Sequence, residues 1–184
     1  MREIASKGQL RMAFMRWALV TVPFILLLGL TSARLVPTGR QNGWYMQLAK
    51  PGAMPPDWMF LAGWAAIYVL MGLALAMVIN ARGSRLRRPA LLVFAIQMAV
   101  NLAWMPLFFG MHQVHAALIA IAVLSLLALT TVVLFFRIRV VSALLLLPYL
   151  AWIAYAGILL YQIEQLNPNA ESTVPSHSAE QIRI

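Results

Sequence analysis

Five long apolar segments, separated by short polar ones, constrain the fold more than any other feature of the sequence. They cover residues at about 12–33, 58–79, 90–109, 114–136 and 140–161. A helix that crosses the hydrocarbon core of a bilayer needs about 20 predominantly apolar residues, and the five segments reach this length. The pattern predicts an all-α integral membrane protein, a five-transmembrane-helix bundle formed by one domain, residues 1–161. The polar C-terminal tail, residues 162–184, follows, and we expect its distal part to be disordered.

The composition agrees with a membrane protein and excludes several classes of function. Hydrophobic residues make up 62% of the chain and charged residues 10%, whereas a soluble domain has about 25% charged residues. There is no cysteine, which excludes disulfides, iron–sulfur clusters and a cysteine nucleophile. The net charge of +9 comes from residues that flank the apolar segments. These residues therefore predict topology and lipid contact, and we expect no nucleic-acid binding.

The basic residues also predict the orientation in the membrane. Ten Lys and Arg fall on the side that carries the N-terminus: Arg2, Lys7, Arg11, Arg16, Arg82, Arg85, Arg87, Arg88, Arg137 and Arg139. Four fall on the other side: Arg34, Arg40, Lys50 and Arg183. By the positive-inside rule the N-terminus is cytoplasmic, and the C-terminus and the long loop at residues 34–57 are outside. We expect a bacterial cell membrane. The sequence leaves a bacterial or mitochondrial outer membrane open.

The first apolar segment has a second interpretation. A basic start, an apolar run and the small residues Thr31 and Ala33 near its end also match a cleaved signal peptide. We expect the segment to stay as the first helix. A mature protein that begins near Arg34 would contradict this.

Several kinds of chemistry have no support in the sequence. The last four segments contain no Asp, Glu, Lys or Arg, although ion-coupled carriers usually keep such residues in the membrane. There is no P-loop and no Gly-x-Ser-x-Gly motif. His112 and His115 have a weak metal-like spacing, but contact with headgroups or water is the favoured interpretation. We predict no metal site and no catalytic residue.

Three of the predicted helices carry aromatic and polar residues on one face. The spacings of three and four place these residues together: Phe60, Trp64 and Tyr68 in the second helix, Gln97, Asn101, Trp104 and Phe108 in the third, and Tyr149, Trp152 and Ala156 in the fifth. One such stripe is typical of ordinary helix packing. Three stripes that mix large aromatics with amides or hydroxyls favour a cavity for a flat, mostly apolar ligand.

The third helix carries small residues on its opposite face. Ala95, Ala99 and Ala103 are four apart, a pattern that lets a second helix approach closely. We expect this face to form a homodimer interface. Packing inside one bundle is the competing interpretation.

Three motifs identify a resemblance. "WYMQLAKPGAMPP", "NLAWMPLFFG" and "PYLAWIAYA" resemble, in order and at similar spacing, motifs of the TspO/MBR family. This family contains the bacterial tryptophan-rich sensory proteins and the mitochondrial translocator protein, also called the peripheral benzodiazepine receptor. The motifs cover about residues 44–161. The first and fourth helices match only in character.

The resemblance implies a bundle, often dimeric, with a pocket under the long first loop, which acts as a lid. It implies porphyrins such as protoporphyrin IX and haem as ligands, with no required cofactor. By position, the implied pocket residues are Tyr45, Trp64, Asn101, Trp104, Trp152 and Ala156, with Lys50 on the loop side. Together with the stripes this predicts ligand contacts from Tyr68, Phe108 and Tyr149 as well.

Two departures from the family pattern concern the ligand. Ala53 stands where the family usually has an aromatic residue, which predicts a more open lid. A sterol motif needs a Lys or Arg within five residues after a tyrosine. Tyr161 has none, so the sequence does not support high-affinity cholesterol binding.

We therefore expect a membrane receptor or carrier for porphyrins, with a role in their transport or sensing. Light-dependent degradation of the bound porphyrin is one alternative, because a tryptophan beside the excited ring can donate an electron. A ligand-regulated interaction protein without transport is the other, with the loop from Arg82 to Arg88 as the predicted cytoplasmic contact.

Overall fold

The structure is a computed structural model that describes residues 7–172. Within that range it contains seven α-helices: α1 Lys7–Ser32, α2 Gly43–Gln47, α3 Asp57–Asn80, α4 Arg87–Met105, α5 Val114–Ile138, α6 Val140–Leu144 and α7 Leu147–Leu166. Five helical stretches are long and apolar enough to cross a membrane, so the predicted five-helix fold is confirmed. The expected disorder of the distal tail concerns residues 173–184, which lie outside the described residues, as do Arg2 and Arg183.

The third and fifth spans differ in detail from the predicted segments. After Met105, α4 continues as a π-helical turn, Pro106–Gly110. The fifth span consists of α6 and α7, and Pro148 lies in the first turn of α7, where the missing N–H of proline costs no helical hydrogen bond. Helix α7 continues to Leu166, so the first residues assigned to the polar tail belong to the last helix.

Helices α1 and α3 pack closely because glycines lie at their contact. A Cβ atom on Gly72 would come within 2.6 Å of the Val22 Cα atom, and one on Gly29 would overlap the ring of Tyr68. The Thr21 hydroxyl donates to the Gly72 carbonyl at 2.7 Å. Small residues allow backbones to approach closely in membranes, where helix association depends on van der Waals packing and hydrogen bonds.

The first loop, residues 33–56, is called the lid below. Trp44 and Leu48 of the lid are buried in an apolar cluster with Phe108, Leu160 and Ile163. This cluster joins the lid to the π-helical turn and to α7. The lid is therefore a packed part of the bundle at the end opposite the Arg82–Arg88 loop.

The alanine face of α4 points away from the bundle. Ala95, Ala99 and Ala103 are all exposed, beside the exposed Leu92 and Ile96. In the described residues this face therefore does not pack inside the bundle, in contrast to the competing interpretation. The homodimer interface on this face stays a prediction.

Candidate functional site

A cavity of about 440 Å³ lies under the lid. Helices α1, α3, α4, α5 and α7 contribute to its wall, together with lid residues Thr38–Gln41, Tyr45 and Met54. Its lining is mainly apolar and aromatic, and its volume falls in the range of about 300–1,000 Å³ that is usual for ligand pockets.

Seven of the ten residues that the sequence proposes for ligand contact line this cavity: Tyr45, Trp64, Tyr68, Asn101, Trp104, Phe108 and Ala156. They come from the lid, α3, α4, the π-helical turn and α7. The structure thus brings together side chains that are up to about a hundred residues apart. That they bind a ligand stays a prediction.

The other three proposed contact residues lie outside the cavity lining, although the structure describes them. The Lys50 ammonium lies 4.6 Å from the centre of the Tyr45 ring and donates to the Leu48 carbonyl at 3.3 Å. Trp152 lies behind Trp64, with ring centres 6.1 Å apart at 77°. Tyr149 is 1% exposed and is bonded to Asn101 of the cavity wall. Each of the three therefore contacts a residue of the cavity lining without belonging to the lining itself.

Two stacked aromatic pairs line the cavity. Trp64 stacks on Tyr68 with ring centres 5.3 Å apart, and Trp104 stacks on Phe108 at 5.2 Å. The Trp104 indole N–H donates to the Ala117 carbonyl of α5 at 3.2 Å, which fixes the orientation of this ring. The cavity is therefore suited to a planar apolar molecule.

A buried polar chain lies at the same wall. The Tyr149 hydroxyl donates to Asn101 Oδ1 at 3.1 Å, and Asn101 Nδ2 donates to the Tyr68 hydroxyl oxygen at 3.2 Å. Tyr68 and Asn101 border the cavity. Because a buried polar group without a partner is costly, this chain holds the Asn101 amide in one place.

The N-terminal half of the lid is positioned by side-chain hydrogen bonds. The Asn42 side chain accepts from the Tyr45 backbone N–H at 2.9 Å, which caps α2. Its Nδ2 donates to the carbonyls of Pro37 and Phe109, both at 2.9 Å. The Trp44 indole N–H donates to the Ala170 carbonyl at 2.8 Å. Tyr45 is thereby held over the cavity.

The C-terminal half of the lid is anchored at Ala53. The Tyr155 hydroxyl donates to the Ala53 carbonyl at 2.7 Å. Ala53 is exposed and does not border the cavity, whereas its neighbour Met54 does. The wall at this point comes from Met54, and the expectation that Ala53 makes the lid more open stays a prediction.

The cavity reaches the outer surface of the bundle on one side. Its lining includes Leu30 of α1 and Leu61 of α3, which are 42% and 64% exposed. Both side chains belong to the apolar outer surface that faces lipid. Arg40 also lines the cavity and is the one cation among the lining residues.

His112 and His115 make contacts at the lid end of the bundle that were not predictable from the sequence. His115 Nδ1 lies 2.9 Å from Glu164 Oε1, and the His115 backbone N–H donates to the Glu171 carboxylate at 2.9 Å. His112 stacks on Trp44 with ring centres 4.5 Å apart. These partners are far apart in the sequence, so the spacing within one helix contains no signal for them.

Comparison with known proteins agrees with this arrangement. The model of the TspO/MBR family matches residues 19–166. A tryptophan-rich sensory protein of Cereibacter sphaeroides is 36% identical over 84% of this chain and 95% of its own length. The tryptophan-rich protein TspO of Chlorobaculum tepidum is 38% identical over 71% of this chain and 84% of its own length. The translocator protein of Bos taurus is 36% identical over 67% and 75%.

The family of this protein follows from its five membrane-crossing helices, the aromatic cavity under the lid and these matches. The match extends from α1 to the end of α7, so it includes the elements that form the cavity wall. This multi-pass membrane protein belongs to the TspO/MBR family.

Proposed function

We propose that this protein is a membrane receptor or carrier that binds porphyrins, such as protoporphyrin IX or haem, in the cavity under the lid. The observation that carries the proposal is the pair of stacked aromatic faces, Trp64–Tyr68 and Trp104–Phe108, in one cavity of about 440 Å³. The names of the relatives refer to sensing and translocation, which is compatible with a receptor or carrier for a small ligand.

The chemistry of a tetrapyrrole complements the wall. Its macrocycle is a flat apolar disc, and an indole face stacks on such a disc favourably. Its carboxylates need a cation or hydrogen-bond donors, and the Arg40 guanidinium at the cavity lining is able to pair with one of them. Lys50 is the weaker candidate for this role, because its ammonium lies over the Tyr45 ring.

The distribution of charge supports the proposed orientation. In the described chain the exposed residues Arg82, Arg85, Arg88, Arg137 and Arg139 lie in the two connections opposite the lid or in the helix ends next to them. A cytoplasmic location for these connections follows from the positive-inside rule. The lid and the cavity then lie towards the outer side of the membrane.

A fluorescence titration tests the proposal. Protoporphyrin IX is added to the purified protein in detergent while tryptophan emission is followed. We expect saturable quenching that weakens by about tenfold or more in apparent affinity in a Trp64→Leu/Trp104→Leu variant, because both stacking faces are lost. Trp58→Leu is the matched control, since Trp58 is 67% exposed. Quenching that does not saturate, or equal affinity in both variants, would contradict the proposal.

The same samples separate binding from degradation. Trp64 and Trp104 would lie beside the bound ring, which is the arrangement needed for electron donation to a photoexcited macrocycle. Absorbance spectra of the complex are recorded in light and in darkness. Loss of the porphyrin bands that is faster with protein than without it, and only in light, would support a degrading activity. Identical decay would leave the receptor or carrier function.

A further inference from the structure

A fully buried amide lies next to the polar chain at the cavity wall. Gln97 is 0% exposed, and neither its Nε2 nor its Oε1 has a hydrogen-bond partner among residues 7–172. Gln97 lies one turn before Asn101 on the same face of α4, and Asn101 is bonded to Tyr149. The buried polar residues therefore form a row, Gln97, Tyr149, Asn101 and Tyr68, and only the last two border the cavity.

The row has a direction in the observed structure. Tyr149 donates to Asn101, and Asn101 donates to the Tyr68 oxygen. The Tyr68 hydroxyl donates to no acceptor in the described chain, so its hydrogen is available to a ligand that lies in the cavity. The wall therefore offers a hydrogen-bond donor in this state.

Rotation of the Asn101 amide by half a turn reverses the row, because an amide has an acceptor on one side and donors on the other. Tyr68 then donates to Asn101, and its oxygen lone pairs face the cavity. Asn101 donates to the Tyr149 oxygen. The Tyr149 hydrogen now needs a new acceptor, and the Oε1 atom of Gln97, one turn from Asn101 on the same face of α4, is a buried acceptor without a partner in the described chain.

We propose that Gln97 is a positioning residue that lets this row run in either direction. In the observed direction its amide is able to donate to the Tyr149 oxygen, and in the reversed direction it accepts from the Tyr149 hydroxyl. The Tyr68 hydroxyl thereby recognises ligands that accept a hydrogen bond as well as ligands that donate one. Gln97 touches no ligand itself. The inference rests on the proposed function only in taking the cavity as a ligand site.

Two flat tricyclic probes of opposite hydrogen-bond character test the relay. Carbazole has an N–H donor, and acridine has a ring-nitrogen acceptor. The dissociation constant of each is measured by isothermal titration calorimetry with the full-length protein in detergent. We expect the wild-type protein to bind both. Gln97→Met should weaken the affinity for carbazole by about tenfold and change the affinity for acridine by less than about twofold. The reason is that only the reversed row leaves a buried donor without an acceptor.

A second variant separates the relay from a general structural effect. Tyr149→Phe added to Gln97→Met removes the hydrogen that has lost its acceptor, so the carbazole-to-acridine ratio should return towards the wild-type value. Gln162→Met, at an exposed position of α7, is the matched control and should leave both constants unchanged. The ratio of the two constants cancels a uniform loss of folded protein.

Several outcomes would overturn the relay. The first is that Gln97→Met weakens the binding of both probes equally or of neither. The second is that the added Tyr149→Phe fails to restore the ratio of the two dissociation constants. The third is that the wild-type protein binds only one probe or neither. A failed protoporphyrin titration with carbazole and acridine still bound would count against the proposed porphyrin ligand alone.

Discussion

The side-chain amide of Asn167 pairs with the backbone of Ala49, accepting from its N–H at 2.8 Å and donating to its carbonyl at 2.9 Å. The same amide donates to the Ile163 carbonyl of α7 at 2.7 Å. Asn167 directly follows α7, and Ala49 lies in the middle of the lid. One side chain thus joins the end of the last helix to the segment that covers the cavity.

Asn167→Ala should therefore loosen the lid without unfolding the bundle. The two bonds to Ala49 are lost, and each intramolecular hydrogen bond contributes about 1 kcal/mol. We expect the dissociation rate of bound protoporphyrin to rise by about fivefold to tenfold in a stopped-flow displacement experiment. Gln165→Ala, at an exposed position two residues earlier, is the control. An unchanged rate would show that this link does not limit ligand release.

Trp44 should contribute strongly to stability, in contrast to Trp58. Trp44 is 1% exposed and Trp58 is 67% exposed, and Trp44 also donates to the Ala170 carbonyl. Truncation of a buried tryptophan to alanine costs about 3–5 kcal/mol. Thermal unfolding in detergent should show a large decrease in stability for Trp44→Ala and almost none for Trp58→Ala. Similar decreases for both would mean that the lid is not packed as described.

Gly29 should tolerate no side chain, whereas Gly83 should. A Cβ atom on Gly29 would overlap the Tyr68 ring, and one on Gly83 would meet nothing within 4 Å. Overpacking of a tight contact costs about 1–3 kcal/mol. Gly29→Ala should lower the thermal stability and also displace Tyr68 from the cavity wall, so that probe affinity falls. Gly83→Ala is the matched control, and equal behaviour of the two variants would contradict the close contact.

The exposed alanine face of α4 provides a test of the predicted dimer. Ala99→Phe places a large ring where a second helix would have to approach closely. We expect folded monomers by size-exclusion chromatography with light scattering, and unchanged helix content by circular dichroism. Ala122→Phe, at an exposed alanine of α5, should leave the oligomeric state unchanged. A dimer that survives Ala99→Phe would place the interface on another face.

Much of the cavity wall was predictable from single helices. Trp64 and Tyr68 are one turn apart, as are Asn101 and Trp104, so the sequence alone places each pair on one face. Amide side chains in an apolar helix indicate which face points inwards, because lipid tails offer no hydrogen-bond partner for an amide. The structure agrees for Asn101, which is 5% exposed and borders the cavity.

The positions of Trp152, Tyr149 and Lys50 were not predictable in this way. Trp152 shares a face with Ala156, yet Ala156 lines the cavity and Trp152 packs behind Trp64. The difference depends on how α7 is rotated and shifted against α3. No spacing within one helix contains that information, because it is set by the fit of side chains on two helices.

The sequence by itself determined the number of membrane-crossing helices and the faces that carry amides and tryptophans. These properties are local, since a bilayer of fixed thickness imposes a length and a polarity on each segment separately. Only the tertiary structure decided which of those residues reach the cavity and how the lid is held. Asn167 and Ala49 are separated by 118 residues, and their pairing exists only after α7 and the lid have packed at the same end of the bundle.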